Sequence, residues 1–431
     1  MSHLSKKIKQ INGPVNVVRL EGEFKGIKKV LYVFMDFHIP TCAQTACDNV
    51  FRKDIDGFFA ESFHNLNSSS KTYDFFFETW EMTFENIKYG LHFESKKNYK
   101  DRYIEEIYKL FRKLFTYESD KVQISKLFTN IRLHYLDIRV LFEQPFYLEI
   151  HKMIDMAYDM RTHFYIHVPN LSIIINFMND FVKHFQMITS IIEDIKTNNK
   201  KPIEKVNVIE FQKKINENLE ERERKETAIH YYLINKMYHK YNHDEIRLYV
   251  QREFGVILKN LNELIVNSEK AISEFMNISK TVEDANNNLE NDLYQDPNTG
   301  HYNYGLPFTV MYDMSEKVYL TLIEISNALL WYFTKFMDVY FIRRFMDKDY
   351  ITNGIAYTGA AHSLVYINRL CKIFDFKITH FHYSKISNLE ELNDVIKKKE
   401  TNDLAGELGL YFYPPILSQC SDITNFPNNF E

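Results

Sequence analysis

The chain has 431 residues, 45% hydrophobic and 26% charged, with only 12 glycines and 10 prolines. That composition supplies a buried core and excludes bulk disorder. A formal net charge of -5 and an isoelectric point near 6.4 argue against nucleic-acid binding, which calls for a basic face.

Residues 1–14 include basic side chains but no apolar stretch, so no signal peptide is expected there. Val15–Glu21 and Lys28–Met35 flank a segment with Gly22 and Gly26, which predicts a β-hairpin. Asp54–Phe63 carries Ile55, Phe58, Phe59 and Phe63 at helical spacing. Tyr73–Phe77 is a short apolar run suited to a buried strand. Arg102–Phe115 predicts an amphipathic helix and Ile131–Leu136 the next strand.

From Val140 to Met346 the periodicity is helical, broken by polar loops at 196–205 and 284–307. Glu253–Thr281 predicts one extended helix. The most lipid-like stretch, Ile325–Thr334, is about half of the ~20 residues a helical span needs, so no membrane span is expected. Strand signals return at Gly354–Thr358 and Phe376–Phe381, around a helix over Ser363–Phe374. The tail after Leu408, with Pro414, Pro415 and many asparagines, is expected to run as surface coil. The four cysteines, Cys42, Cys47, Cys371 and Cys420, form no CxxC pair and are expected to be reduced thiols.

Strands at both chain ends imply an α/β fold. Residues 1–139 and 347–431 would build a central, mostly parallel sheet, and residues 140–346 an all-helical insertion.

Four of the strands deliver chemically able side chains at their downstream ends, where open α/β sheets bind ligands. The first ends in Asp36 and His38, two residues apart and so on the same side of an extended segment. The Tyr73–Phe77 strand delivers Glu78, and the Ile131–Leu136 strand delivers Asp137 and Arg139. The strand at Gly354–Thr358 leads into Gly359-Ala-Ala-His362. A carboxylate beside an imidazole can orient a ring tautomer, support a general base or ligate a metal. Arg139 suits a carboxylate or phosphate, although an Asp137–Arg139 pair is equally an ordinary ion pair. Arg343 and Arg344, near the end of the last inserted helix, could reach the same strand ends or simply cap that helix. No phosphate loop or GxSxG elbow is present, which disfavours nucleotide hydrolysis and serine-esterase chemistry.

The order of these signals resembles the superfamily of erythromycin esterase-like, ChaN-like and TraB/Tiki proteins. The match rests on Met35-Asp36-Phe37-His38, on Phe77-Glu78 and on Gly359-Ala-Ala-His362, with Arg343 or Arg344 as the helical arginine. It covers mainly residues 28–80 and 338–382. It departs at Met35, where the family has Gly, and at Asp36, where esterase-like members have Glu. The composition, rich in Tyr, Phe, Asn, Ile and Lys, is similar to that of giant-virus proteins.

The resemblance implies a hydrolase-like site for ester or peptide bonds. His38 or His362 would act as base, Glu78 and Asp36 as orienting groups, and Arg139 or Arg344 as oxyanion partner. A divalent metal on His38, His362 and Glu78 would be its metal-assisted form. The alternative is a non-catalytic viral structural or interaction protein that keeps the fold and binds protein partners through the helical insertion. Either would act in the host cytoplasm or in the virion.

Overall fold

The computed structural model describes residues 9–43, 46–79, 102–117, 123–138, 140–198, 221–287, 294–295, 302–303, 306–399, 404–416 and 418–431. The chain divides into two units, Met1–Ile138 with Met337–Glu431, and Arg139–Phe336.

The first unit opens with β1 (Gln10–Asn12), then the hairpin of β2 (Asn16–Phe24) and β3 (Ile27–Asp36). The hairpin turns through Lys25 (φ 53°) and Gly26 (φ 79°). Two consecutive positive-φ residues give the turn whose twist matches that of the strands it joins. Next come β4 (Lys53–Asp54), α1 (Ile55–Asn65), β5 (Tyr73–Phe77) and α2 (Tyr103–Phe111). β6 (Thr116–Tyr117), β7 (Gln123–Ile124) and β8 (Ile131–Tyr135) follow.

The second unit contains α3 (Val140–Thr162), α4 (Val168–Asn198), α5 (Glu221–His239) and α6 (Asp244–Asn287), with a short hairpin of β9 (Tyr294–Gln295) and β10 (Tyr302–Asn303). On α6 the buried side chains Ile246, Val250, Phe254, Ile257, Leu261 and Leu264 recur every three or four residues, the stripe that packs a helix onto its neighbours. α7 (Phe308–Asp347) passes from this unit into the first. The first unit resumes with β11 (Asn353–Gly359), α8 (Ala360–Phe374), β12 (Lys377–Phe381), α9 (Leu389–Lys398), α10 (Leu404–Phe412) and β13 (Cys420–Asp422). Among the described residues, no helix is long and apolar enough to cross a membrane.

The large sheet has the order β12-β2-β3-β11-β5-β8-β7-β6. Its four middle strands, β3, β11, β5 and β8, run parallel, and the ladders on both flanks are antiparallel. The fold is therefore mixed α/β, with the parallel part in the middle of the sheet. Parallel strands are buried on both faces, which explains their apolar runs. On one face Phe34, Phe75, Phe77 and Tyr357 pack with Phe59 and Phe63 of α1 and Phe111 of α2. Each phenylalanine buried there contributes about 1.5–3 kcal/mol. On the opposite face Phe76 meets Phe341 and Phe345 of α7 edge-on at 5.1 and 6.2 Å. Gly354 permits that approach, since a Cβ there would lie 2.9 Å from the Phe345 ring.

Two expectations are corrected. The tail after Leu408 is not surface coil. Leu408 and Phe412 are fully buried on α10, β13 pairs with β1, and Ile423, Phe426 and Phe430 enter the aromatic core. Apolar spacing over 404–412 outweighs the two prolines, which only end that helix. The cysteines are not all reduced, because Cys47 and Cys420 form a disulfide with Cα atoms 5.1 Å apart. β1 is responsible: Asn12 stands opposite Cys420 in the β1–β13 register, and its side chain accepts the Cys47 N–H at 2.8 Å. Cys42 and Cys371 are free.

Candidate functional site

Asp36 is the last residue of β3, and Gly359, the last of β11, lies beside it in register. Glu78 follows β5, the strand on the other side of β11. The parallel pairing of β3, β11 and β5 thus delivers three downstream ends to one place. α8 begins at Ala360, so His362 sits in its first turn. His38 leaves β3 with φ 54°, a left-handed conformation that costs about 1–3 kcal/mol for a non-glycine residue and that clusters at functional sites.

The side chains form a continuous alternation of carboxylates and imidazoles. Asp36 Oδ2 lies 2.8 Å from His38 Nδ1. His38 Nε2 faces Glu78 Oε2 at 3.5 Å. Glu78 Oε1 faces His362 Nε2 at 3.6 Å. His362 Nδ1 lies 2.7 Å from Asp338 Oδ1. Two further bonds fix the carboxylates: the Gly359 N–H donates to Glu78 Oε2 at 2.5 Å, and the Gln419 amide donates to Asp36 Oδ1 at 2.8 Å. Gly359 is required here, since a Cβ would stand 3.0 Å from His38 Nε2 and 3.2 Å from Glu78 Oε2.

Asp36, Glu78, Asp338 and His362 are buried, whereas the His38 side chain is 28% exposed. His38 is therefore the member that meets solvent. Burial opposes charge on its ring, but the Glu78 carboxylate and the hydrogen bonds to Asp36 and Glu78 outweigh it and hold the imidazole up at about 10. At neutral pH His38 is an imidazolium between two carboxylates. A cavity of about 420 Å³ elsewhere in this unit is lined by Lys9, His380, Thr424, Phe426 and neighbours, none of them a member of this chain of groups.

Four sequence-derived candidates, Asp36, His38, Glu78 and His362, are thus brought together. Asp137 stands two residues beyond β8, its N–H donating to the Thr79 carbonyl at 3.2 Å, at the same end of the sheet. Arg139 lies outside the described residues. Arg344 does not join the group: its Nη2 faces His134 Nδ1 at 3.5 Å. It is six residues past Asp338 on α7, about 9 Å along the helix axis, and lies against β8 within the sheet and away from the downstream strand ends. There it completes a separate network. His134 Nε2 meets Asp74 Oδ1 at 2.6 Å, and Arg132 clamps Asp74 with bonds of 2.8 and 2.5 Å. Burial, with help from Arg344 and Arg132, lowers the His134 pKa, so its Nδ1 can accept the Arg344 N–H.

Among the described residues, no group of three or more His, Cys, Asp or Glu side chains is arranged to hold a metal ion. Sequence reasoning missed two members of the site. Asp338 is a buried carboxylate within an otherwise apolar turn of α7, and a lone acid on such a face was the available signal. Gln419 carries no sequence signal.

Comparison with known proteins places the chain among viral relatives. It is 37% identical over 444 residues to uncharacterised protein R706 of Acanthamoeba polyphaga mimivirus, covering 100% of both chains. It is 33% identical to uncharacterised protein R160 of the same virus, over 99% of this chain and 98% of the relative. It is 34% identical to uncharacterised protein R161, over 100% of both. No solved structure matches the chain. A family model matches residues 9–431, and the chain belongs to that family, the family of unknown function DUF5847.

Proposed function

We propose that the first unit carries an acid–base hydrolytic site for ester or amide bonds, with His38 as the group that delivers a proton to the substrate. One observation supports this above the others: the partly exposed His38 ring lies between Asp36 and Glu78, both of which favour its protonated form, while the rest of the relay is buried. Such a ring is poised to protonate a leaving group, and Glu78, backed by His362 and Asp338, can then take part in returning the proton. This order of roles differs from a mechanism that opens with His38 as base, because its free lone pair is already committed at neutral pH. The order of motifs resembles that of erythromycin esterase-like proteins, a likeness that the family match and the viral relatives do not bear on.

Hydrolysis of a panel of chromogenic esters and peptides tests it. His38→Ala and His362→Ala should each remove turnover while circular dichroism stays unchanged. Full turnover by both variants would refute the assignment.

A second reading is favoured by burial. Asp36 is 1% exposed and Gln419 lies on it, which suits a structural polar network in a non-catalytic interaction protein. In that case the same variants would lower stability and no substrate would be turned over.

A further inference from the structure

We propose that Gln419 is a positioning residue for the Asp36–His38 pair, and that the Cys47–Cys420 disulfide is the latch that keeps it in place. The proposal rests on the acid–base reading only for its functional meaning, since its geometry stands independently.

Gln419 Nε2 donates to Asp36 Oδ1, which leaves Oδ2 directed at His38 Nδ1. Without that donor the carboxylate keeps only His38 and the Tyr357 hydroxyl as side-chain partners, and its χ2, a soft torsion, is less firmly set for the His38 bond. Gln419 is itself fixed by its neighbours. Its carbonyl accepts the Gly13 N–H at 2.9 Å, Cys420 is bonded to Cys47, and the Ser421 hydroxyl donates to the Pro14 carbonyl at 2.8 Å. Beyond the disulfide, β13 is tied to β1 by only three residue pairs. The covalent bond joins positions 373 residues apart and is the tie next to Gln419 itself, whereas the Ile423 N–H to Lys9 carbonyl bond and the buried Phe426 and Phe430 hold the strap further on. Cys47 is buried and Cys420 is half-buried.

Reduction by a dithiol would break the Cys47 Sγ–Cys420 Sγ bond. The dithiol supplies two electrons and two protons and leaves as its own disulfide, and both cysteines end as thiols. The groups facing His38 are Asp36 and Glu78, with His362 behind Glu78. Release of Gln419 alters only the Asp36 side of that set.

The test uses the full chain and two readouts that need no substrate. Thiol titration of the denatured, unreduced protein should find two free thiols, those of Cys42 and Cys371, and four after reduction. In proton NMR the low-field Nδ1–H resonance of His38, assigned by its loss in His38→Ala, should disappear on reduction and in Cys420→Ser. It should also disappear in Gln419→Ala with the disulfide intact. The ring protons of His134, held by Asp74 away from the strap, should stay in place and report an intact fold. Four free thiols in the unreduced protein, or a His38 resonance unmoved by both reduction and Gln419→Ala, would overturn the proposal. Absence of hydrolysis would count against the acid–base reading and leave both readouts valid.

Discussion

Replacing Glu78 by Gln should make the stability of the first unit lose a specific pH dependence. His38 is held at about 10 in the folded protein against 6.5 for a free imidazole. Its folded pKa is raised, so the stabilisation is fully present below pH 6.5 and is lost as pH rises through about 10. A shift from 6.5 to about 10, at roughly 1.4 kcal/mol per unit, corresponds to stabilisation on the order of 5 kcal/mol, shared by Glu78 and Asp36. The Glu78 charge is the largest of the groups raising it, so Glu78→Gln should cost about 2–3 kcal/mol near pH 6. The difference from the parent should shrink steadily toward pH 10. Urea unfolding of both proteins at several pH values, with His38 followed by NMR, measures both the cost and the window. A cost that is the same at pH 6 and pH 10 would mean that Glu78 acts through packing or the Gly359 N–H, and the electrostatic argument would fail.

Three further substitutions separate neighbouring effects. Lys29 is buried and donates to the carbonyls of Phe345, Lys348 and Ile351 at 3.1, 2.9 and 2.5 Å, closing the end of α7. Lys29→Met should cost about 2–3 kcal/mol in chemical denaturation, because it leaves buried acceptors unmet. Burial lowers the Lys29 pKa from 10.5 to about 8 against the pull of Asp349, Asp74 and Asp347, so its contribution rises with pH between those values, and the variant should lack that rise. Gly359→Ala puts a Cβ 3.0 Å from His38 Nε2 and should lower the His38 pKa in an NMR titration while the far-ultraviolet dichroism is unchanged. Arg344→Gln should raise the pKa of His134, which Arg344 helps to depress, and leave His38 unmoved; a shift at His38 would show that the two networks are one.

The parts of the fold legible in the sequence were those written in local pattern. Tyr73–Phe77 reads as a strand because four aromatic residues in five positions suit a short strand buried on both faces, and it is one. Asp36, Glu78 and His362 were found because each lies just past such a run, where the pairing of β3, β11 and β5 must gather them. Whatever depends on distant segments meeting escaped. Asp338 looks like one acid flanking an apolar helix until α7 delivers it to His362. Cys47 and Cys420 have no spacing rule at 373 residues, and Gln419 matters only because β13 lies on β1. Arg344 misled for a geometric reason: a helix advances about 1.5 Å per residue, so of two charged residues six apart only one can stand at the strand ends.

The charge count of the site constrains how it could work. Three carboxylates, Asp36, Glu78 and Asp338, face two imidazoles, with four of the five side chains almost wholly withdrawn from water. Burying several carboxylates side by side is tolerable only when the intervening rings carry protons or the acids share them. The proton at His38 is therefore part of what holds the cluster together as well as the one nearest solvent. Giving it to a substrate leaves Asp36 and Glu78 less compensated, which favours rapid return of a proton through Glu78. On the proposed reading, chemistry in this geometry begins with proton donation and ends with reprotonation. Activity should then persist at pH values where an ordinary histidine acid has already lost its proton, and fall only as His38 titrates near pH 10.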